Sequence, residues 1–184
     1  IEGNPFSKPT GEYSGFIDLV RKSIPEQVTL VPDSLDQVTS DHGWTLGLNE
    51  KELTSSIQII RSFNSNSRVS LFIDSISNDV INYEILDYCL KVGADTIEVH
   101  TGPFSKLIEA KHFNIIDSLR LLLERAKDKG LNINAGHDLN LLNLKYLKDL
   151  DLIDEVSIGH AIVVDALNFG FDDTIKKYID IIKG

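Results

Sequence analysis

Two spacings of apolar residues alternate along the whole chain. Short runs crowd β-branched and aliphatic residues together, and longer stretches repeat an apolar residue every three or four positions; the first predicts strands and the second helices. The opening Ile1-Glu2-Gly3 reads as a strand end. A helix is expected around Gly15 to Ile24, stopped by Pro25, and Gln27-Val28-Thr29-Leu30-Val31 is a strand ended by Pro32-Asp33. Asn49 with Glu52 three residues on predicts a capping box, after which Leu53, Ile57 and Ile60 share one helical face. Arg68 to Ile73 is the next strand, ending at Asp74. Ile81, Ile85, Tyr88 and Val92 form an apolar stripe closed by Gly93, and Thr96 to His100 is a strand broken by Thr101-Gly102. One long helix then carries Ile115, Leu119, Leu122 and Ala126 as far as Gly130, and the strand Leu131 to Ala135 ends in Gly136-His137-Asp138. Leu141, Leu144 and Leu147 mark another helix, Glu155 to Ile158 the last strand, and Ala161 to Lys183 a final helical region bent near Gly170.

This strand-then-helix alternation is the signature of an α/β fold with a parallel sheet. Strand ends fall at Glu2, Asp33, Asp74, Thr101, His137 and His160, which makes six βα units. A TIM (β/α)8 barrel needs about 250 residues, so the 184 residues read as one barrel domain, 1–184, holding units 3 to 8 and incomplete at its N-terminus. A doubly wound open sheet produces the same alternation, and periodicity alone does not separate the two.

Composition narrows the class. With 42% hydrophobic and 25% charged residues and a mean hydropathy of -0.05, the chain has enough apolar material for one core and no low-complexity segment. Apolar runs stay far short of the ~20 residues that cross a bilayer, and no signal-peptide pattern opens the chain. A net charge of -10 argues against nucleic acid or anionic lipid as partner. The single Cys89 leaves no disulfide framework and no cysteine-based zinc cage, which suits a cytoplasmic protein. There is no methionine, and the chain starts at Ile1, so the expectation is that its beginning has been removed or left out.

Both barrels and open α/β sheets bind ligands at the C-terminal ends of their strands, and three of the five histidines, His100, His137 and His160, stand there. Glu98 shares a pleat face with His100; with Ile97 and Val99 turned to the helices, it is aimed at the interior. A carboxylate there is costly to bury without a specific partner, which favours function over a hydrogen-bonded core residue. Gly136-His137-Asp138 and Gly159-His160-Ala161 repeat one device, a glycine and a histidine between a strand and the next helix. Glycine admits a close ligand, and a helix start with its free N–H groups favours an anion such as phosphate. Asp33 and Asp74 either touch ligand or cap the following loops. His42 lies in the long polar loop Thr39-Ser40-Asp41-His42-Gly43-Trp44, which could cover a site. His112 is expected on a solvent-facing helical surface and Cys89 in the core. His100, His137 and His160 with a carboxylate also fit a metal-dependent barrel hydrolase, and the glycine–histidine loops also fit a non-catalytic phosphate-binding module. No Walker loop, GxGxxG, HExxH or GxSxG occurs.

Five ordered blocks carry a family likeness. They are Gln27 to Asp33 with Val38 to Trp44, Val69 to Asp74, Ile97 to Gly102, Asn132 to Leu139, and Val156 to Ala161. In order and spacing they resemble the bacterial pyridoxine 5'-phosphate synthases over nearly the whole chain. The resemblance implies a (β/α)8 barrel, and so decides against the open sheet. It also implies condensation of 1-deoxy-D-xylulose 5-phosphate with 3-amino-2-oxopropyl phosphate to give pyridoxine 5'-phosphate, phosphate and water, with no redox cofactor and no metal. By the same resemblance Glu2 is the general base, Glu98 stabilises charge in the transition state and His137 is the proton donor. Thr39 contacts the deoxyxylulose phosphate, while Asp138, Gly159 and His160 hold the aminooxopropyl phosphate. Asp138 stands where many members have glycine, which fits only if the backbone N–H makes that contact. Pro32-Asp33 departs from the commoner Pro-Glu-Lys-Arg. The family's first two units carry an Asn-x-Asp-His stretch, a further catalytic histidine and substrate-binding arginines; none is in this chain, which by itself is expected to be inactive. Family members self-associate, so a homo-oligomer is expected.

Overall fold

A computed structural model describes residues 1–34, 37–75 and 81–184. Among them the strands are β1 (Glu2–Gly3), β2 (Gln27–Leu30), β3 (Arg68–Asp74), β4 (Thr96–His100), β5 (Asn132–Gly136) and β6 (Glu155–Ser157). The helices are α1 (Phe16–Ser23), α2 (Glu50–Phe63), α3 (Glu84–Val92), α4 (Gly102–Glu109), α5 (Asn114–Asp128), α6 (Leu144–Lys148), α7 (His160–Phe169) and α8 (Phe171–Lys183). The strands form one sheet in the order β1-β2-β3-β4-β5-β6, and the pairs β1–β2, β2–β3 and β5–β6 are parallel. Chain order equal to sheet order, with helices between strands, is the arrangement of consecutive βα units. The architecture is α/β, as the alternation predicts.

The chain divides into two compact units, one of residues 1–74 and 82–98 and the other of residues 75–81 and 99–184. In the first, strand alternation sorts residues by face. Val28, Leu30, Val69, Leu71 and Ile73 are buried with Phe16 and Val20 of α1 and Leu53, Ile57 and Ile60 of α2. Each such side chain contributes about 1.5–3 kcal/mol by leaving water. On the other face Glu2, Thr29 and Ser70 stand in register across β1, β2 and β3, a polar row among apolar strands. Cys89 is fully buried on α3, as expected, and burial pushes its thiol up to about 12, so it packs as a small hydrophobe.

In the second unit Leu119, Leu122, Leu123 and Ala126 of α5 form a buried stripe, and Ile133 and Ala135 are the buried apolar residues of β5. The expected single helix after Thr101 is instead two, α4 and α5. Lys111 takes a left-handed backbone (φ 62), which no helix continues through, and His112 lies in that break, exposed but not helical. Gly170, at φ 82, produces the expected bend between α7 and α8. Leu141 precedes α6, which is only five residues long. The capping box predicted at Asn49 does not form: Asn49 is left-handed (φ 56) and makes no side-chain cap bond. An N-cap that bonds N3 needs an extended backbone, which the left-handed turn after Gly47 does not supply.

Candidate functional site

In the first unit, the polar row gathers acidic groups. Glu98 is 2% exposed on β4 and accepts a hydrogen bond of 3.0 Å from Thr29 Oγ1. Glu2 and Glu98 bring one carboxylate oxygen each within 4.8 Å of the other. Beyond Glu2 the Ser40 hydroxyl donates to Asp33 Oδ2 and lies 3.5 Å from Glu2 Oε1, while Asn4 Nδ2 donates to the Asp33 carbonyl at 2.7 Å. A hydroxyl has one proton, so Ser40 serves chiefly Asp33. The Glu2 carboxyl is raised above its ordinary value, first because surrounding protein removes water and second because Asp33 is negative beside it; the Ser40 hydroxyl works the other way. Raising a carboxyl toward neutrality makes its ionised form the stronger base.

The polar loop is tied to the strand ends. Gly43 N donates to Asp74 Oδ1 at 3.0 Å, Trp44 N to the Phe72 carbonyl at 3.0 Å, and Trp44 Nε1 to the Leu30 carbonyl at 2.8 Å. Asp74 therefore anchors the loop, and Asp33 joins the Glu2 cluster through Ser40. Thr39 lies exposed on this loop, and His42 faces solvent with its Nδ1 2.6 Å from Asp41 Oδ1. The His42 ring holds the Asp41 carboxyl below its usual range.

In the second unit β4 and β5 end side by side. The His100 and His137 rings meet edge to face, centroids 5.5 Å apart at 84°. His137 and Asp138 are both left-handed, at φ 78 and 58. Asparagine and aspartate tolerate that region better than most residues, so this left-handed turn can carry an aspartate at position 138. The Asp138 carboxylate is turned toward Gly102: a Cβ added there would stand 3.2 Å from Asp138 Oδ2 and 2.6 Å from His100 Nε2. Gly102 is thus glycine for space, with the His100 and Asp138 side chains occupying what a methyl group would need.

Gly159 and His160 are a different device. Gly159 precedes α7 with φ -111 and open space where a Cβ would go, and His160 is the exposed first residue of α7. The expectation that the two Gly-His motifs are equivalent is therefore corrected: His160 opens a helix, whereas His137 sits in a left-handed turn with no helix before Leu144. A cavity of about 530 Å³ lies against the start of α7, lined among others by Lys106, Asp138, Asn140 and His160. The lining carries one ammonium, that of Lys106, beside the carboxylate residues Glu109, Asp138 and Asp165, so any attraction for an anion there depends on the free N–H groups at the start of α7. Among the described residues, His100, His137 and His160 do not bring a ring nitrogen each within 4.8 Å of one another, so the three-histidine metal arrangement does not form.

Thr29, Ser40, Thr101 and Asn143 were not legible as site residues. Thr29 and Ser40 are the hydroxyls that hold the carboxylates. Thr101 and Asn143 hold the His137 turn: the Thr101 hydroxyl reaches the Gly136 and His137 carbonyls, and Asn143 Nδ2 donates to the Asp138 carbonyl at 2.9 Å. Thr29, Ser40 and Thr101 fall inside the family-like blocks, where no spacing marks their hydroxyls as partners of the site, and Asn143 lies outside the blocks.

Comparison with known proteins places this constellation in context. Residues 8–184 match the family model described as pyridoxal phosphate biosynthesis protein PdxJ. The pyridoxine 5'-phosphate synthase of Xanthomonas axonopodis pv. citri is 41% identical over 188 residues, covering all of this chain and 69% of the relative. That of Cytophaga hutchinsonii is 40% identical over 185 residues, covering all of this chain and 71% of the relative. That of Xanthomonas campestris pv. campestris is 41% identical over 189 residues, with 70% of the relative covered. Among the described residues, no helix is long and apolar enough to cross a membrane.

Proposed function

The chain belongs to the pyridoxal phosphate biosynthesis protein PdxJ family, and on that premise we propose that it is a pyridoxine 5'-phosphate synthase of vitamin B6 biosynthesis. It condenses 1-deoxy-D-xylulose 5-phosphate with 3-amino-2-oxopropyl phosphate to pyridoxine 5'-phosphate, phosphate and water. The family match carries this reading, and the raised Glu2 carboxyl close to the buried Glu98 is what the geometry adds. Imine formation, phosphate loss and ring closure each move a proton to or from carbon or oxygen, which asks for a carboxylate base and a histidine acid. Glu2 is the base, its environment raising its affinity for the proton it takes. Glu98, kept in place by Thr29, stabilises positive charge developing on the imine. His137 donates the proton that lets a leaving oxygen depart.

Thr39 contacts the deoxyxylulose phosphate from its loop. The aminooxopropyl phosphate is held by the Asp138 backbone N–H, Gly159 and His160, with the start of α7 supplying the electrostatic attraction. Support for the backbone contact comes from the Asp138 carboxylate being turned toward Gly102.

Two more βα units complete the barrel in this reading. It is supported by α7, none of whose residues is buried although Val163 and Leu167 are 64% and 84% exposed. An apolar helix left open to water is what a missing neighbour would leave. In this reading the enzyme works in the cytoplasm, where its single cysteine would stay reduced, and self-associates as a homo-oligomer, the state expected from the sequence resemblance.

The test is direct. Enzyme expressed from its complete open reading frame is incubated with both substrates, and pyridoxine 5'-phosphate is followed by its absorbance after chromatographic separation. Product formation that Glu2→Gln and His137→Asn each abolish is expected; wild-type-like turnover in either variant removes the corresponding role.

A further inference from the structure

Three consecutive carbonyls, those of Gly136, His137 and Asp138, are each captured by a buried side chain from elsewhere in the second unit. Thr101 donates its N–H to the Gly136 carbonyl at 2.7 Å, and its single hydroxyl proton is shared between the Gly136 carbonyl at 2.5 Å and the His137 carbonyl at 2.6 Å. Asn143 Nδ2 donates to the Asp138 carbonyl at 2.9 Å and to Ser105 Oγ at 3.0 Å, while its Oδ1 accepts from Asn140 N at 2.8 Å. Thr101 is fully buried and Asn143 is 1% exposed.

Both residues stand where a helix would use them. Thr101 is the N-cap of α4 and Asn143 the N-cap of α6, and neither makes a side-chain cap bond. Threonine and asparagine at an N-cap normally satisfy a free N–H of the first helical turn. Here Asn143 Oδ1 accepts from Asn140 N rather than from the first turn of α6, and the donors of both side chains, which capping would not use, go to the turn that holds His137 and Asp138 left-handed. A backbone so placed for two non-glycine residues in succession persists only where its surroundings over-determine it.

The peptide group is planar, so a carbonyl held on one side fixes the direction of the N–H that shares its plane. Pinning the carbonyls of Gly136, His137 and Asp138 therefore aims the N–H groups of His137, Asp138 and Leu139 away from Thr101 and Asn143. The same constraint fixes the Cα–Cβ direction of His137. We propose that Thr101 and Asn143 are positioning residues of the synthase: through the carbonyls of this turn they set both the His137 imidazole and the Asp138 backbone N–H. This rests on the proposed role of His137 as proton donor.

The experiment compares Thr101→Val, Thr101→Ser and Asn143→Asp in enzyme expressed from the complete open reading frame, assayed well below the melting temperature of every variant. Valine matches threonine in shape but loses the hydroxyl; serine keeps it. Aspartate keeps the acceptor for Asn140 N and loses both Nδ2 donors. Thr101→Val is expected to lower kcat about 10²-fold, the scale of a 1 Å misplacement, with KM for the deoxyxylulose phosphate unchanged and Thr101→Ser restoring kcat. Asn143→Asp is expected to raise KM for the aminooxopropyl phosphate. The proposal is overturned if Thr101→Val and Asn143→Asp both keep wild-type kcat and KM, or if serine fails to restore what valine removes. His137→Asn is run beside them: turnover in that variant would sink the role of His137 itself, whereas its loss with an unaffected Thr101→Val would sink only the positioning claim.

Discussion

Replacing Gly43 by alanine tests whether the loop carrying Thr39 is held as tightly as its hydrogen bonds suggest. The backbone at Gly43 is not in the left-handed region, so alanine brings no torsional penalty; the obstacle is steric alone. A Cβ there would stand 2.4 Å from Asp74 N and 2.6 Å from the Ile73 backbone. Ordinary contact begins near 3.4 Å, and neither neighbour is a flexible side chain, so the loop must retreat by about 1 Å. That retreat stretches the 3.0 Å bonds from Gly43 N to Asp74 Oδ1 and from Trp44 N to the Phe72 carbonyl beyond hydrogen-bond reach. It also draws Trp44, 4% exposed, out of its seat against Phe6. Two lost bonds at about 1 kcal/mol each, and a further ~1 kcal/mol for the indole, make a destabilisation of about 3 kcal/mol. For a domain of this size that lowers Tm by roughly 6–12 °C. Differential scanning calorimetry reads it, with Gly47→Ala as control: Gly47 has φ 74 and open space around its Cβ position, so only the strain of about 1 kcal/mol applies. If Gly43→Ala melts with the wild type, or no lower than Gly47→Ala, the loop is not clamped and the reasoning fails.

Further outcomes follow from the same geometry. Thr29→Val removes the hydroxyl that donates to Glu98 and should cost about 1.5–3 kcal/mol by urea unfolding, with Thr29→Ser close to wild type; equal stability of the valine variant would mean that Glu98 does not depend on Thr29. Because the Glu2 carboxyl is raised in the folded protein, the folded state binds the extra proton just above pH 4.5, and stability drains away as pH rises through the raised value. Glu2→Gln should therefore match wild type below pH 4.5 and become the more stable form above that window while losing turnover; a crossover in the opposite sense would contradict the desolvation account. Gly102→Ala drives a Cβ to 2.6 Å from His100 Nε2 and should displace the His100 ring, readable as a shift of its imidazole NMR signals; unmoved signals would show that the space is not contested. Residues 1–184 purified alone should form no pyridoxine 5'-phosphate, and measurable product from a sequence-verified sample would refute the expectation that the first two units carry indispensable groups.

Much of the scaffold was readable because its causes are local. Pleat alternation placed Glu98 opposite Ile97 and Val99, the apolar stripe of α3 put Cys89 in the core, and Gly170 bent the last helical region where the pattern broke. Misreadings arose where one backbone conformation overruled a side-chain preference. Asn49 has the composition of a cap and a left-handed backbone that prevents it, and Lys111 splits what an unbroken apolar period made one helix.

By itself, then, the amino-acid order determined the succession of strands and helices and the faces they bury, since these depend on neighbours within a few residues, and the order and spacing of its motif blocks determined the family. Only the tertiary structure distinguished the two Gly-His motifs, turned the Asp138 carboxylate toward Gly102, and gave Ser40, Thr101 and Asn143 their work. Of these, the Thr101 assignment rests on a hydrogen bond between groups 35 positions apart, and the Asp138 carboxylate meets Gly102 from 36 positions away, whereas Ser40 and Asn143 reach partners only seven and five positions off through turns that the tertiary packing shapes. No local spacing encodes such a pairing, because the donor's partner is chosen by the packing of strands and helices after they form.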